Sequence, residues 1–268
     1  MKKTLYALVL SVLFFSCQQN QENAATYTPR VLTANEKFNG YLEGSDSAFT
    51  VLIHKDEASS SEVKEEFKVK FKDTLVKIQI NKADPNSATE KFSSVQFINT
   101  QKTTMLVQIS DKSGLTAPCY LLSVKDGKLE VISLYRPSTG KQDTKYTTGI
   151  IKVGRAGYVV NNDFYITNVN AQVYLIKRQN PEERIQGQFI LNSPDKSTIV
   201  FLTDKSLYQV HYVSDDVYNE TFSKKVPQSA ADLPEWVRNN FMWQKNKKGI
   251  TFLKFNDSDR IVDIREFQ

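Results

Sequence analysis

The strongest constraint on this chain is its rhythm. Short runs of alternating polar and apolar residues, rich in Val, Ile, Phe, Tyr and Thr, follow one another with turn residues between them. The runs fall at 48–54, 66–72, 75–80, 94–98, 103–110, 120–124, 129–135, 148–153, 157–160, 164–167, 172–177, 184–191, 198–203, 207–213, 250–255 and 261–267. Most connections are short and polar. Asp126-Gly127 supplies the positive φ angles of a tight hairpin, and Asn161-Asn162-Asp163, Asp204-Lys205 and 256–259 have similar composition. Short connections pair neighbours antiparallel. The expectation is therefore an all-β fold, an antiparallel meander of about sixteen short strands. It closes as a sandwich or open barrel, with a small β-propeller as the alternative, because the hairpins 119–135, 171–191 and 198–213 look alike.

One helix is expected near the carboxy end. Asp232-Leu233-Pro234-Glu235 resembles a capped start with proline in the first turn. Leu233, Trp236, Val237 and Phe241 share a helical face, and Gly249 is a natural stop. The helix and the runs 250–255 and 261–267 form a helix-hairpin that docks on the β domain, with Trp236 buried.

The amino end has a different character. Lys2 and Lys3 precede an apolar stretch over 4–15, too short for an ordinary membrane span, and Ser16-Cys17 follows. This layout is that of an export signal, and Ser16-Cys17 resembles the lipobox of bacterial lipoproteins. Phe14 and Phe15 depart from the common Leu and small residue, as in the looser boxes of Bacteroidota-type lipoproteins. The resemblance implies cleavage before Cys17, diacylation of its thiol and acylation of the new amine. Several acyl chains anchor a protein stably where one does not. The organisation expected is a signal peptide over 1–16, lipidated Cys17 with a flexible polar tether over 17–36, and a β-rich globular domain over 37–268. The destination implied is the cell envelope, at the outer membrane.

Charge and cysteines narrow the partners. The formal charge is +5, and leaving out Lys2 and Lys3 reduces it to +3, spread along the chain. That is no nucleic-acid footprint. Cys17 and Cys119 are the two cysteines, so with Cys17 lipidated no internal disulfide forms and the core carries stability. Cys119 opens an apolar run and reads as a buried, inert thiol.

Motifs for chemistry are sparse. His54 and His211 are the two histidines, far apart in sequence, and no metal, nucleophile-elbow or phosphate-loop pattern appears. No cofactor is expected. Asp46-Ser47-Ala48 and Asp73-Thr74-Leu75 are similar to the Asp-Ser/Thr-apolar sequon of Bacteroidota O-glycosylation, marking Ser47 and Thr74. Trp243 lies beside the compact basic cluster Lys245, Lys247 and Lys248, a candidate contact surface for a protein, glycan or headgroup. The reading favoured by the sequence is a membrane-anchored, non-enzymatic binding or accessory module. The alternatives are an envelope hydrolase, with His54, His211 and Asp215 as first alanine targets, and an inhibitor or immunity-type lipoprotein.

Overall fold

The computed structural model describes residues 23–34, 36–39, 49–56, 64–110, 117–139 and 148–256. The expected signal peptide, Cys17, Ser47 and the expected strand 261–267 lie outside the described residues. The strands in chain order are β1 (Ala24–Tyr27), β2 (Arg30–Val31), β3 (Phe38–Asn39), β4 (Phe49–Asp56), β5 (Lys64–Phe71), β6 (Thr74–Gln79) and β7 (Ala88–Thr89). Then follow β8 (Phe92–Phe97), β9 (Thr104–Ile109), β10 (Cys119–Lys125), β11 (Lys128–Ser133), β12 (Ile150–Val153), β13 (Gly157–Val160), β14 (Phe164–Thr167) and β15 (Gln172–Leu175). The series ends with β16 (Gln188–Asn192), β17 (Thr198–Leu202), β18 (Ser206–His211), β19 (Asp216–Thr221), helix α1 (Leu233–Asn240), β20 (Phe241–Lys245) and β21 (Thr251–Phe255).

The fold is all-β, with one helix near the carboxy end. Among the described residues its strands form four sheets, stacked in chain order. The first, of ten strands, runs β1-β6-β5-β8-β9-β10-β11-β2, with β4 on β5 and β7 on β6. It curls as a half-barrel around Phe49, Val69, Phe71, Val76, Met105, Tyr120 and Leu122. The opposite face of β9–β11 offers Leu106, Leu121 and Ile132 to Tyr158, Val160, Phe164 and Ile166 of the second sheet. Burial on both faces explains why β9 and β10 are continuous apolar runs. The second sheet, β12-β13-β14-β15-β3, turns Val159 and Tyr165 to Ile199, Phe201 and Tyr208 of the third, β16-β17-β18-β19. The third turns Val200, Leu202 and Leu207 to Val237, Phe241, Leu253 and Phe255 of α1 and the β20–β21 pair. The curled first sheet is the open-barrel component, and the smaller meanders pack on it one after another.

Several expectations change. β1 and β2 lie inside the stretch read as tether, pairing parallel with β6 and β11 through Ala24↔Leu75 and Ile132↔Arg30. Thr26 and Tyr27 match a half-buried edge. The hairpin expected over 171–191 is divided, because β15 belongs to the second sheet and β16 to the third. The expected strand 184–191 is ordered as β16 only from Gln188. The helix stops at Asn240, not Gly249. From Phe241 the pattern has period two, with Phe241 buried, Met242 exposed and Trp243 partly buried, so a strand wins. Gly249 (φ 77°) serves the β20–β21 turn, which is the hairpin of this region. Asp232 precedes the helix but makes no side-chain cap. Trp236 is half-buried, packing edge-on to Phe222 and Phe241 with centroids 5.2 Å away in each case. A helix this short covers an edge of the core, not its centre. Among the described residues, no helix is long and apolar enough to cross a membrane.

Candidate functional site

The site is built around the tight turn between β13 and β14. Asn161 and Asn162 both adopt positive φ (53° and 56°), the conformation their sequence favours. Unlike an ordinary hairpin tip, this one is buried: Asn161 is 1% exposed, Asn162 4% and Asp163 0%. Buried polar groups require partners, and each of these reaches a different segment. Asn161 accepts from the Gly149 N–H at 2.9 Å and donates to the Leu134 carbonyl at 3.3 Å. Asn162 donates to the carbonyls of Gly187 at 2.9 Å and Ile185 at 3.4 Å.

Asp163 holds two arginines. Arg178 donates Nε to Oδ1 at 2.9 Å, and Arg184 donates Nη1 to Oδ2 at 2.5 Å. Arg178 also donates to the carbonyls of Pro137 at 2.9 Å, Arg136 at 3.0 Å and Pro181 at 3.2 Å. Burial pushes the Asp163 carboxyl up, and the guanidiniums of Arg178 and Arg184 pull against it. Burial, then the neighbouring Arg178 charge, pull the Arg136 pKa down. The stretch 178–187, without regular structure, is thus fixed at its start, middle and end. Gly187 tightens the fit: a Cβ there would lie 2.9 Å from the Leu202 carbonyl oxygen.

The pinned stretch and β16 wall three adjoining cavities. The first, of about 420 Å³, is lined by Gln179, Asn180, Glu183, Arg184, Thr203, Ser206, Tyr208 and Asn219. The second, open and of about 810 Å³, lies between Gln186–Gln188 and Thr203, Asp204 and Lys205. The third, of about 450 Å³, is apolar, with Ile190, Leu191, Leu233, Val237, Trp243 and Leu253, and Arg238 as the one charge among the described residues lining it. Gln186 and Thr203 belong to the first two and Gln188 to the last two, so they form one groove. One end satisfies hydrogen-bonding groups and the other takes apolar ones, a lining suited to recognition.

The basic cluster beside Trp243 is split. Trp243 faces the apolar cavity, and exposed Lys245 ends the same strand. Lys247 and Lys248 sit in the turn, where Lys248 Nζ donates to Asp216 Oδ1 at 2.6 Å. The two histidines belong to different sheets, with the second between them. His211 Nδ1 lies 2.6 Å from Ser214 Oγ, which donates to Asp216 Oδ2 at 2.6 Å. That order is His–Ser–carboxylate. The hydroxyl proton is directed to Asp216 and not to imidazole, so the trio closes the β18–β19 turn rather than activating a nucleophile. Asp215 occupies the same turn with φ 60°. Exposed His54 stands opposite Glu66 in the β4–β5 ladder. Cys119 is buried, and burial, moderated by a hydrogen bond from Gln108, pushes its thiol up to about 11. Thr74 begins β6 at the β5–β6 turn. Among the described residues, no His, Cys, Asp and Glu side chains gather as a metal site.

Sequence reasoning took Asn161-Asn162-Asp163 as a short polar hairpin turn and missed the Arg178, Arg184 and Asp163 cluster. Its one sequence signal is a strand break between two apolar strands, which any hairpin shares. No family model, curated protein or solved structure was found to match the chain.

Proposed function

We propose that this chain is an envelope lipoprotein that works by binding. Lipidated Cys17 holds it at the membrane, and the groove along 179–191 receives a protein or glycan partner. The observation that carries the reading is the adjoining of three cavities along a wall fixed by Asp163 and Asn162. A wall fixed before binding lowers the ordering cost of association. The Ser16-Cys17 leader supports the envelope address and, with it, the outer membrane as the place of work. Two experiments test the parts. Labelled fatty acid enters the parent and not the Cys17→Ser chain; incorporation into the variant refutes the anchor. The purified chain, used to capture partners from secreted and envelope fractions and from a glycan panel, retains one that Gln186→Ala with Asp204→Ala weakens. A single tight secreted protein gives the inhibitory form of the reading and glycan retention the accessory form. Turnover of a defined substrate, lost on changing His54, His211 or Asp215, overturns it in favour of a hydrolase.

A further inference from the structure

The apolar end of the groove is bordered by a strand edge, that of β20, which no other described strand pairs. In the β20–β21 ladder Trp243 stands opposite Leu253. Leu253, however, gives both of its backbone groups to one side chain of the third sheet. Its N–H donates to Gln209 Oε1 and its carbonyl accepts from Gln209 Nε2, each at 2.7 Å. The neighbours two residues away behave alike. The Phe255 N–H donates to Glu220 Oε1 at 2.9 Å, and the Thr251 carbonyl accepts from the Thr198 hydroxyl at 2.8 Å.

The pairs Phe241↔Phe255, Trp243↔Leu253 and Lys245↔Thr251 are therefore the non-hydrogen-bonded pairs of the ladder. In such pairs the backbone groups of both strands point outward. On β21 that edge is occupied by Thr198, Gln209 and Glu220. On β20, no described residue occupies it: the Phe241 N–H goes to the Val237 carbonyl, while Trp243 turns its N–H and carbonyl away from β21. Among the described residues, no third strand adjoins β20.

We infer that the outer edge of β20 binds an extended peptide segment by strand addition, with acidic residues flanking an apolar side chain. Strand addition supplies main-chain affinity, and alternate side chains supply specificity. The apolar side chain enters the cavity between Leu191, Val237 and Trp243. Charge sets the flanks: Arg238 is the one charge among the described residues lining the cavity, and Lys245, also exposed, ends the edge. An edge lysine also guards against indiscriminate sheet pairing, which favours a partner carrying carboxylates. The inference rests on the groove being the binding surface and specifies its apolar end.

The test uses the full chain in detergent and a fluorescein-labelled octapeptide alternating glutamate with leucine or valine. Fluorescence anisotropy rises saturably. Methylating alternate peptide nitrogens, which removes edge hydrogen bonds and keeps every side chain, weakens binding by at least about tenfold. A peptide with lysine in place of glutamate binds more weakly, and Arg238→Glu inverts that preference. Arg238 is exposed, so this variant keeps the test readable if Trp243→Ala disturbs folding. Equal binding of the methylated peptide, or no binding at all, overturns the inference. So do two other outcomes: a peptide-excluding dimer assigns the edge to a second copy, and binding that appears only after removal of 257–268 assigns it to the chain's own end. A captured partner whose retention is unchanged in both variants leaves the groove reading standing and removes this one alone.

Discussion

Removing the Asp163 carboxylate is the most direct test of whether the groove wall is held from inside the protein. Asp163 is 0% exposed, Arg178 2% and Arg184 7%. Asp163→Ala leaves two guanidiniums in a nearly dry site without their counter-charge. Deleting one partner of a buried ion pair costs about 3–5 kcal/mol, because the remaining charge stays desolvated. That is a large share of the 5–15 kcal/mol typical of a domain. At this size each kcal/mol moves Tm by about 2–4 °C, so the variant melts roughly 6–20 °C lower. Circular dichroism on heating and a urea titration read the change. Glu130→Ala is the control, because it removes a partly exposed 3.3 Å contact with Arg30. Surface pairs contribute about 0–1 kcal/mol. Limited proteolysis adds a positional readout, with cleavage expected to begin within 178–187. If Asp163→Ala melts within the range of Glu130→Ala and 178–187 resists protease, the buried-charge reasoning is wrong.

Other outcomes follow from neighbouring geometry. Gln209→Leu removes the partner of both Leu253 backbone groups, and two buried unsatisfied groups at about 1–3 kcal/mol each predict a loss of roughly 2–6 kcal/mol in chemical denaturation. Trp236→Ala costs about 2–3 kcal/mol in the same assay, below the range for a fully buried tryptophan, because its ring is half-exposed. At Asp195 burial raises the pKa, but hydrogen bonds from Ser193, Ser197 and Thr251 outweigh it and hold the carboxyl at about 2, against an ordinary 3.8. A depressed carboxyl stabilises the fold above its unfolded pKa, so this contribution is lost as pH falls from about 4 towards 2, and Asp195→Ala flattens the stability profile in that window. Cys119, pushed up to about 11, resists iodoacetamide at neutral pH in the folded chain and reacts once denaturant is added, as mass spectrometry shows.

What the sequence revealed and what it hid divide along the range of the interactions. Alternation and turn chemistry are local. The Asp126-Gly127 hairpin therefore appears where expected, with φ 50° and 72°, and β10, β11, β13, β14, β17 and β18 fall close to their predicted runs. Gly154 (φ 52°) likewise serves the β12–β13 turn, between the predicted runs 148–153 and 157–160. Where a strand carries little apolar signal, neighbours decide. Asp216–Thr221, with its two acids, became β19 because β18 offered a complete ladder and Lys254 lay near buried Glu220. The helix boundary erred for a related reason: Phe241 satisfies both a helical face and a strand face, and the partner Phe255 settles the competition.

The groove was hidden because its wall has no periodicity. Residues 178–187 hold their shape through groups supplied by a turn fifteen or more residues earlier in the chain, as with Asp163 to Arg178 at a separation of 15 and Asn162 to Gly187 at 25. A three-residue polar turn reads the same whether its tip meets water or arginine. What distinguishes the two is whether the next layer covers it, which depends on how the third sheet stacks on the second. The outer edge of β20 was less visible still. Gln209, bonding a backbone 44 residues away, takes up the outward groups of β21 and leaves β20 as the hairpin's other edge. An amide inside an otherwise apolar strand such as Leu207-Tyr208-Gln209-Val210 is the one local sign of such a contact. A buried glutamine must find both a donor and an acceptor, and a strand edge presents both side by side.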